Sequence, residues 1–227
     1  MSQTGLTRPL LTAVLFDLDG TLIDSAPDLA GTANDMRAAR GLEAVPYAEL
    51  RPHAGSGARG MLGAAFNCTP SQLNFEPLRD EFYARYEQRM LQHTCMFDAV
   101  AALLDALSGR GLPWGIVTNK SLRFAEPQAR ALGLWTPARV LVGGDSTPHT
   151  KPHPGPLLEA ARRLGVNPKH CVYVGDDLRD MQAARAAGMA AWAAAWGYLG
   201  PQASVQGWGA DIVLAHPNEL LQWLDVA

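Results

Sequence analysis

Short apolar runs that end in polar punctuation recur along the chain, each with the length of a strand buried on both faces. Residues 12–16 (TAVLF) stop at Asp17 and Gly20, and similar runs occupy 114–118 (WGIVT), 139–143 (RVLVG), 171–174 (CVYV), 189–195 and 212–214. The intervening stretches 98–107, 122–132, 156–164, 178–187 and 218–224 read as helices. Their alternation predicts an α/β fold, an open parallel, Rossmann-like sheet flanked by helices on both faces.

One segment breaks the alternation. Residues 28–93 contain no run that reads as a strand, only amphipathic helical pieces such as 28–40 and 78–91. A helical insertion of that size after the first strand is expected to form a cap over the carboxyl edge of the sheet, where open α/β sheets bind ligands. The expected organisation is a core made of residues 1–27 and 94–227, with an inserted helical cap at 28–93.

Acidic residues gather at the ends of two expected strands. Asp17 and Asp19 follow the first, and Asp176, Asp177 and Asp180 follow 171–174. If those strands are neighbours the carboxylates converge, and anions sharing a partly buried site repel one another unless protons or a cation join them. Oxygen donors without nearby histidine or cysteine favour a hard cation, Mg²⁺. Thr118 and Asn119 supply hydrogen-bond donors at the end of the 114–118 run, and Lys151 lies beyond 139–143 among prolines. Lysine occurs only at positions 120, 151 and 169, so one held near an acidic cluster is a candidate for a placed charge. Donors, one ammonium and Mg²⁺ around a nucleophilic carboxylate suit phosphoryl transfer.

Composition narrows the field. The 227 residues are 48% hydrophobic and 18% charged, which supports a packed core. With 19 basic against 22 acidic residues the net charge is −3, so no overall positive field draws nucleic acid or an anionic membrane. Cys68, Cys95 and Cys171 lie far apart without a CxxC pair, and neither a disulfide framework nor a thiolate zinc site is expected. The apolar run 10–16 is too short to span a bilayer and leads straight into Asp17 and Asp19, so a cytoplasmic protein is expected. The residues do not choose between a monomer and a homodimer.

Residues 17–24 (DLDGTLID), the strand ending in Thr118 and Asn119, Lys151 in KPHP, and 175–180 (GDDLRD) resemble, in order, the four motifs of the haloacid dehalogenase superfamily of phosphatases. The match spans nearly the whole chain. It implies that Asp17 attacks phosphorus and becomes an aspartyl phosphate, while Asp19 protonates the leaving oxygen and later deprotonates the hydrolytic water. It implies further that Thr118 and Lys151 hold the phosphoryl oxygens, and that Mg²⁺ is bound by the Asp17 carboxylate, the Asp19 backbone carbonyl and Asp176. Asp177 stands where many members have serine, which leaves both Asp177 and Asp180 open as the carboxylate that steadies metal and lysine. Residues 26–42, 117–127, 174–188 and 208–220 carry the resemblance into the phosphoglycolate phosphatase-like group. The implied substrate is a small phosphorylated metabolite, a sugar 6-phosphate such as N-acetylmuramic acid 6-phosphate first and 2-phosphoglycolate second.

Residues 55–60 (GSGARG) fit a dinucleotide fingerprint on paper, yet no strand precedes them and no βαβ unit surrounds them. They read better as a cap loop leading into a helix, where backbone amides, Arg59 and the nearby His53 are candidates to meet substrate. Arg123, just after the second motif, is a further candidate substrate contact. Dehalogenation does not need the acid that Asp19 offers, and phosphonate hydrolysis would need a cap lysine that 28–93 lacks. A sugar phosphomutase and a non-catalytic binding module on the same fold stand as the alternatives.

Overall fold

The computed structural model describes residues 11–199 and 204–224; Leu10 of the apolar run and the outer ends of the expected core, 1–10 and 225–227, lie outside them. Strand β1 (Ala13–Phe16) is followed by β2 (Ile23–Asp24), the helices α1 (Ala26–Ala38), α2 (Tyr47–Leu50), α3 (Gly57–Phe66) and α4 (Phe75–Arg89), and β3 (Cys95–Met96). Helix and strand then alternate as α5 (Val100–Gly109), β4 (Trp114–Val117), α6 (Leu122–Ala131), β5 (Leu141–Val142), α7 (Gly155–Leu164), β6 (Cys171–Gly175), α8 (Leu178–Ala186) and β7 (Ala190–Ala194). The chain closes with β8 (Ile212–Leu214) and α9 (Glu219–Leu224).

Six strands pair in parallel in the order β5-β4-β1-β6-β7-β8. All four residues of β1 are buried, and they alternate between two cores. Val14 and Phe16 face a cluster with α5, α6 and α9, whereas Ala13 and Leu15 face one with α7 and α8. Burying each large apolar side chain is worth about 1.5–3 kcal/mol, so this central strand anchors both layers of helices. The expected α/β sandwich is thus observed. Where its strand runs differ, the edge is responsible: the expected strand at 139–143 shortens to Leu141–Val142, which pairs only with β4.

The sheet grows outward from β1 in both directions, so the strand order switches there. Phe16 is level with Ile116 of β4 and with Val174 of β6. The chain therefore leaves the three strand ends side by side at Asp17, Thr118 and Asp176, at the crevice where such sheets hold ligands.

Helices α1 to α4 pack on one another around Met36, Leu50, Met61, Leu62 and Phe82, all fully buried. The two strands that the sequence reading lacked, β2 and β3, pair antiparallel where the chain enters and leaves this block. Asp28 of α1, itself fully buried, accepts the backbone N–H groups of His93 (3.0 Å) and Thr94 (2.9 Å) and the Thr94 hydroxyl (2.8 Å), tying the two crossings together. No helix among the described residues is long and apolar enough to cross a membrane.

Candidate active site

Asp17 is the first residue beyond β1, and its N–H donates to the Val174 carbonyl of β6 (2.9 Å). Lys151 reaches it from the loop before α7. The residue is 3% exposed, and its ammonium lies 2.9 Å from Asp17 Oδ1 and 2.8 Å from Asp180 Oδ1. It also donates to the Tyr173 hydroxyl (2.7 Å) and the Val117 carbonyl (3.1 Å). Burial pulls this ammonium toward neutrality, but the two carboxylates outweigh it and hold Lys151 above the usual lysine range.

The acids themselves are under strain of charge. Desolvation pushes the Asp17 carboxyl up to about 7; Lys151 opposes the rise, while Asp180 and Asp19 add to it. Asp176 is raised well above the usual carboxylate value, first by burial and then by Asp17 and Asp180. Asp17 Oδ1, although close enough to Lys151 for an ion pair, is buried without an aligned hydrogen-bond donor among the described residues. Asp17, Asp176 and Asp180 each offer an oxygen within 4.8 Å of the others. Three crowded carboxylates, one with an orphaned oxygen and no nitrogen or sulfur ligand in the cluster, have the chemistry of a hard divalent cation site.

Local structure explains which acid does what. The run GDDLRD forms a capping box at the start of α8: Asp177 accepts the Arg179 N–H, and Asp180 accepts the Asp177 N–H (3.1 Å). Asp180 therefore has one oxygen on the helix cap and the other on Lys151, while Asp177 turns toward the Arg179 guanidinium (2.8 Å). Asp176 is held by the Tyr198 N–H (2.8 Å) and the Thr21 hydroxyl (3.2 Å).

Asp19 is paired with a different lysine. Its Oδ1 accepts from the Ser25 hydroxyl and, at 2.6 Å, from the Lys120 ammonium. Ser25 precedes α1 yet makes no side-chain cap; its hydroxyl is turned to the acid instead. Burial pulls Lys120 down, but Asp19 and Tyr86 prevail and hold it above the usual lysine range.

A cavity of about 360 Å³ joins these groups, with Asp17, Asp19, Thr118, Asn119, Lys151 and Asp176 on its floor. The helical block and α6 add an aromatic wall, chiefly Phe75, Tyr83, Tyr86 and Phe124. The 55–60 loop also lines it, and helix α3 begins within that loop at Gly57, so the glycines serve a helix start rather than a dinucleotide. Arg59 lines the cavity from this helix.

Other expected contacts lie elsewhere. His53 is exposed on the 3₁₀ turn Arg51–Ser56 and is not among the lining residues. Arg123 points behind the aromatic wall, paired with Glu87 (3.1 Å) and packed over Phe124 (4.6 Å to the ring centre), so it is not placed to touch a bound ester. Asn119 lines the cavity, but its side-chain amide is spent on Lys151, accepting the N–H and donating to the carbonyl, both at 2.9 Å. Sequence reasoning passed over Lys120, Ser25 and Tyr198. Lysine scarcity and the position next to Asn119 are a usable signal for the first, whereas nothing local marks the other two.

Residues 14–194 match the family model described as haloacid dehalogenase-like hydrolase. The chain is 43% identical to the N-acetylmuramic acid 6-phosphate phosphatase of Pseudomonas aeruginosa, over 98% of each chain. It is 47% identical to the phosphoglycolate phosphatase of Xanthomonas campestris, over 92% of this chain and 94% of that one. A haloacid dehalogenase-like family protein of Streptococcus pneumoniae superposes with a TM-score of 0.81 at 25% identity, covering 94% of this chain and 98% of the other. The match over residues 14–194, with 43% identity to a relative covered almost end to end, shows that the chain belongs to the haloacid dehalogenase-like hydrolases.

Proposed function

We propose that the protein is a phosphomonoesterase working through Asp17, with a sugar 6-phosphate of the N-acetylmuramic acid type as its preferred ester. The observation that carries the reading is the placement of Asp17 against Lys151 at 2.9 Å, with Asp19 and Thr118 lining the same cavity. Lys151 and Thr118 orient the phosphoryl oxygens so that the Asp17 carboxylate faces phosphorus in line with the leaving oxygen. The Asp17 oxygen–phosphorus bond forms as the ester oxygen–phosphorus bond breaks, and Asp19 gives its proton to the departing alcohol. Asp19 then takes a proton from water as that water displaces Asp17 from phosphorus, releasing phosphate. Asp180 steadies Lys151 throughout, and Asp177 serves the start of α8.

The acidic cluster fits Mg²⁺, which Asp17 and Asp176 would hold by their side chains and Asp19 by its backbone carbonyl. When bound, the ion offsets the charge shared by these carboxylates and the phosphoryl group. Residues 28–93 act as the cap of this site. Its aromatic wall and the 360 Å³ volume suit a ring-sized leaving group with apolar faces better than a two-carbon acid. Names of relatives point to both esters, and the aromatic lining favours the sugar ester.

A phosphate-release screen with Mg²⁺ tests this on N-acetylmuramic acid 6-phosphate, glucosamine 6-phosphate, glucose 6-phosphate and 2-phosphoglycolate. The first is expected to lead 2-phosphoglycolate in kcat/KM by at least ~10-fold, equivalent to about 1.4 kcal/mol at the transition state. A ~100-fold lead for 2-phosphoglycolate would overturn the ranking, and turnover surviving Asp17→Asn would overturn the nucleophile.

A further inference from the structure

Lys120 has no part in the chemistry above, yet it is buried in the same cavity. Its ammonium donates to Asp19 Oδ1 (2.6 Å), Gln128 Oε1 (2.6 Å) and the Tyr86 hydroxyl (3.1 Å). A lysine has three N–H donors, and these three contacts account for all of them within the protein. The acceptors sit on three separate pieces of chain: the loop after β1, helix α6 of the core and helix α4 of the helical block. Gln128 closes the arrangement by donating to the Tyr86 hydroxyl (3.1 Å) and to the Met90 carbonyl (2.9 Å).

The consequence falls on Asp19. Its Oδ1 receives both the Lys120 ammonium and the Ser25 hydroxyl, which fills the two lone pairs of that oxygen. No donor among the described residues engages Oδ2. With Oδ1 taken by two donors, Oδ2 is the oxygen left to serve a substrate. General acid catalysis needs an O–H aimed at the leaving oxygen, and errors of orientation are expensive in rate.

We propose that Lys120 is a positioning residue that fixes the orientation of the Asp19 carboxyl group, and that its bond to Tyr86 makes this setting depend on α4 being packed over the core. The inference rests on the phosphatase reading and extends it: the helical block supplies a fastening for the general acid as well as a wall for the substrate.

Leaving groups of different quality read out the claim. Phenyl phosphate needs its departing oxygen protonated far more than p-nitrophenyl phosphate does, and kcat/KM reports only the steps through ester cleavage. With Mg²⁺ present, Lys120→Met is expected to lower kcat/KM for phenyl phosphate about 10-fold more than for p-nitrophenyl phosphate. Tyr86→Phe keeps the ring and removes only the acceptor; it is expected to show the same bias, about 3-fold, and it carries the test should Lys120→Met fold poorly. Equal losses on the two esters in both variants would mean that Lys120 merely pins helices, and a change confined to KM without the bias would mean that it touches substrate; either overturns the inference alone. A wild-type chain that turned over neither ester would overturn the phosphatase reading and the inference with it.

Discussion

Asp180 meets Lys151 at 2.8 Å with both side chains only 2% exposed. A buried ion pair adds little net stability, but removing one partner strands the other charge at a cost of about 3–5 kcal/mol. Here the same ammonium also faces Asp17, so two carboxylates are stranded together. Lys151→Met is expected to unfold at clearly lower urea than the wild type, to lose phosphatase turnover, and to regain part of its stability with Mg²⁺. Wild-type urea stability in this variant would contradict the charge compensation described here.

The Asp17 carboxyl, raised from 3.8 to about 7 by burial, links stability to pH in a definite direction. A raised carboxyl binds its proton more tightly in the folded state, so its contribution is complete below 3.8 and is lost as pH rises through about 7. Metal-free protein should therefore lose stability across that window relative to Asp17→Asn, which lacks the group. Urea unfolding of both proteins at several pH values, with and without Mg²⁺, checks this: saturating Mg²⁺ should flatten the difference at neutral pH. A metal-free difference that grew in favour of the wild type with rising pH would have the wrong sign.

Gly197 holds Asp176 in place by having no side chain. A Cβ there would stand 2.3 Å from Asp176 Cβ and 2.4 Å from its Oδ2. Gly197→Ala is expected to push the carboxylate out of position and weaken Mg²⁺ about 10-fold, the usual scale for a disturbed outer shell. Titration calorimetry with Mg²⁺ measures it, and an unchanged affinity would show that the strand end can yield.

Asp28 lies outside the cavity but binds the two chain crossings. Replacing it by alanine leaves the His93 and Thr94 amides without their buried acceptor. Loss of about 3 kcal/mol of unfolding free energy is expected for Asp28→Ala, given what charged hydrogen bonds and stranded donors cost. Equilibrium urea denaturation gives the value.

The sheet was legible because strands buried on both faces are written as unbroken apolar runs, and β1, β4 and β6 carry that pattern to the residue before their functional ends. Asp17, Thr118 and Asp176 could be placed from strand ends, and Lys151 from the scarcity of lysine and its place among prolines. The two-residue strands β2 and β3 could not, since so short a piece has no periodicity. Direction was the other hidden quantity: Arg123 and His53 lie near the right motifs, but their side chains turn to Glu87 and to solvent. Lys120 meets Asp19 across 101 positions, a partnership that only the packing of α4 and α6 creates.

Both crossings to the helical block run through one short ladder, Ile23 beside Met96 and Asp24 beside Cys95. The two ends of whatever lies between them are thus already adjacent, and each doubling of its length adds only about 0.6 kcal/mol of closure entropy. Grafts of other helical segments at this junction are therefore tolerable to the sheet. A replacement block would leave the strand ends of the sheet where they are, but it would have to bring its own partner for Lys120 in place of Tyr86.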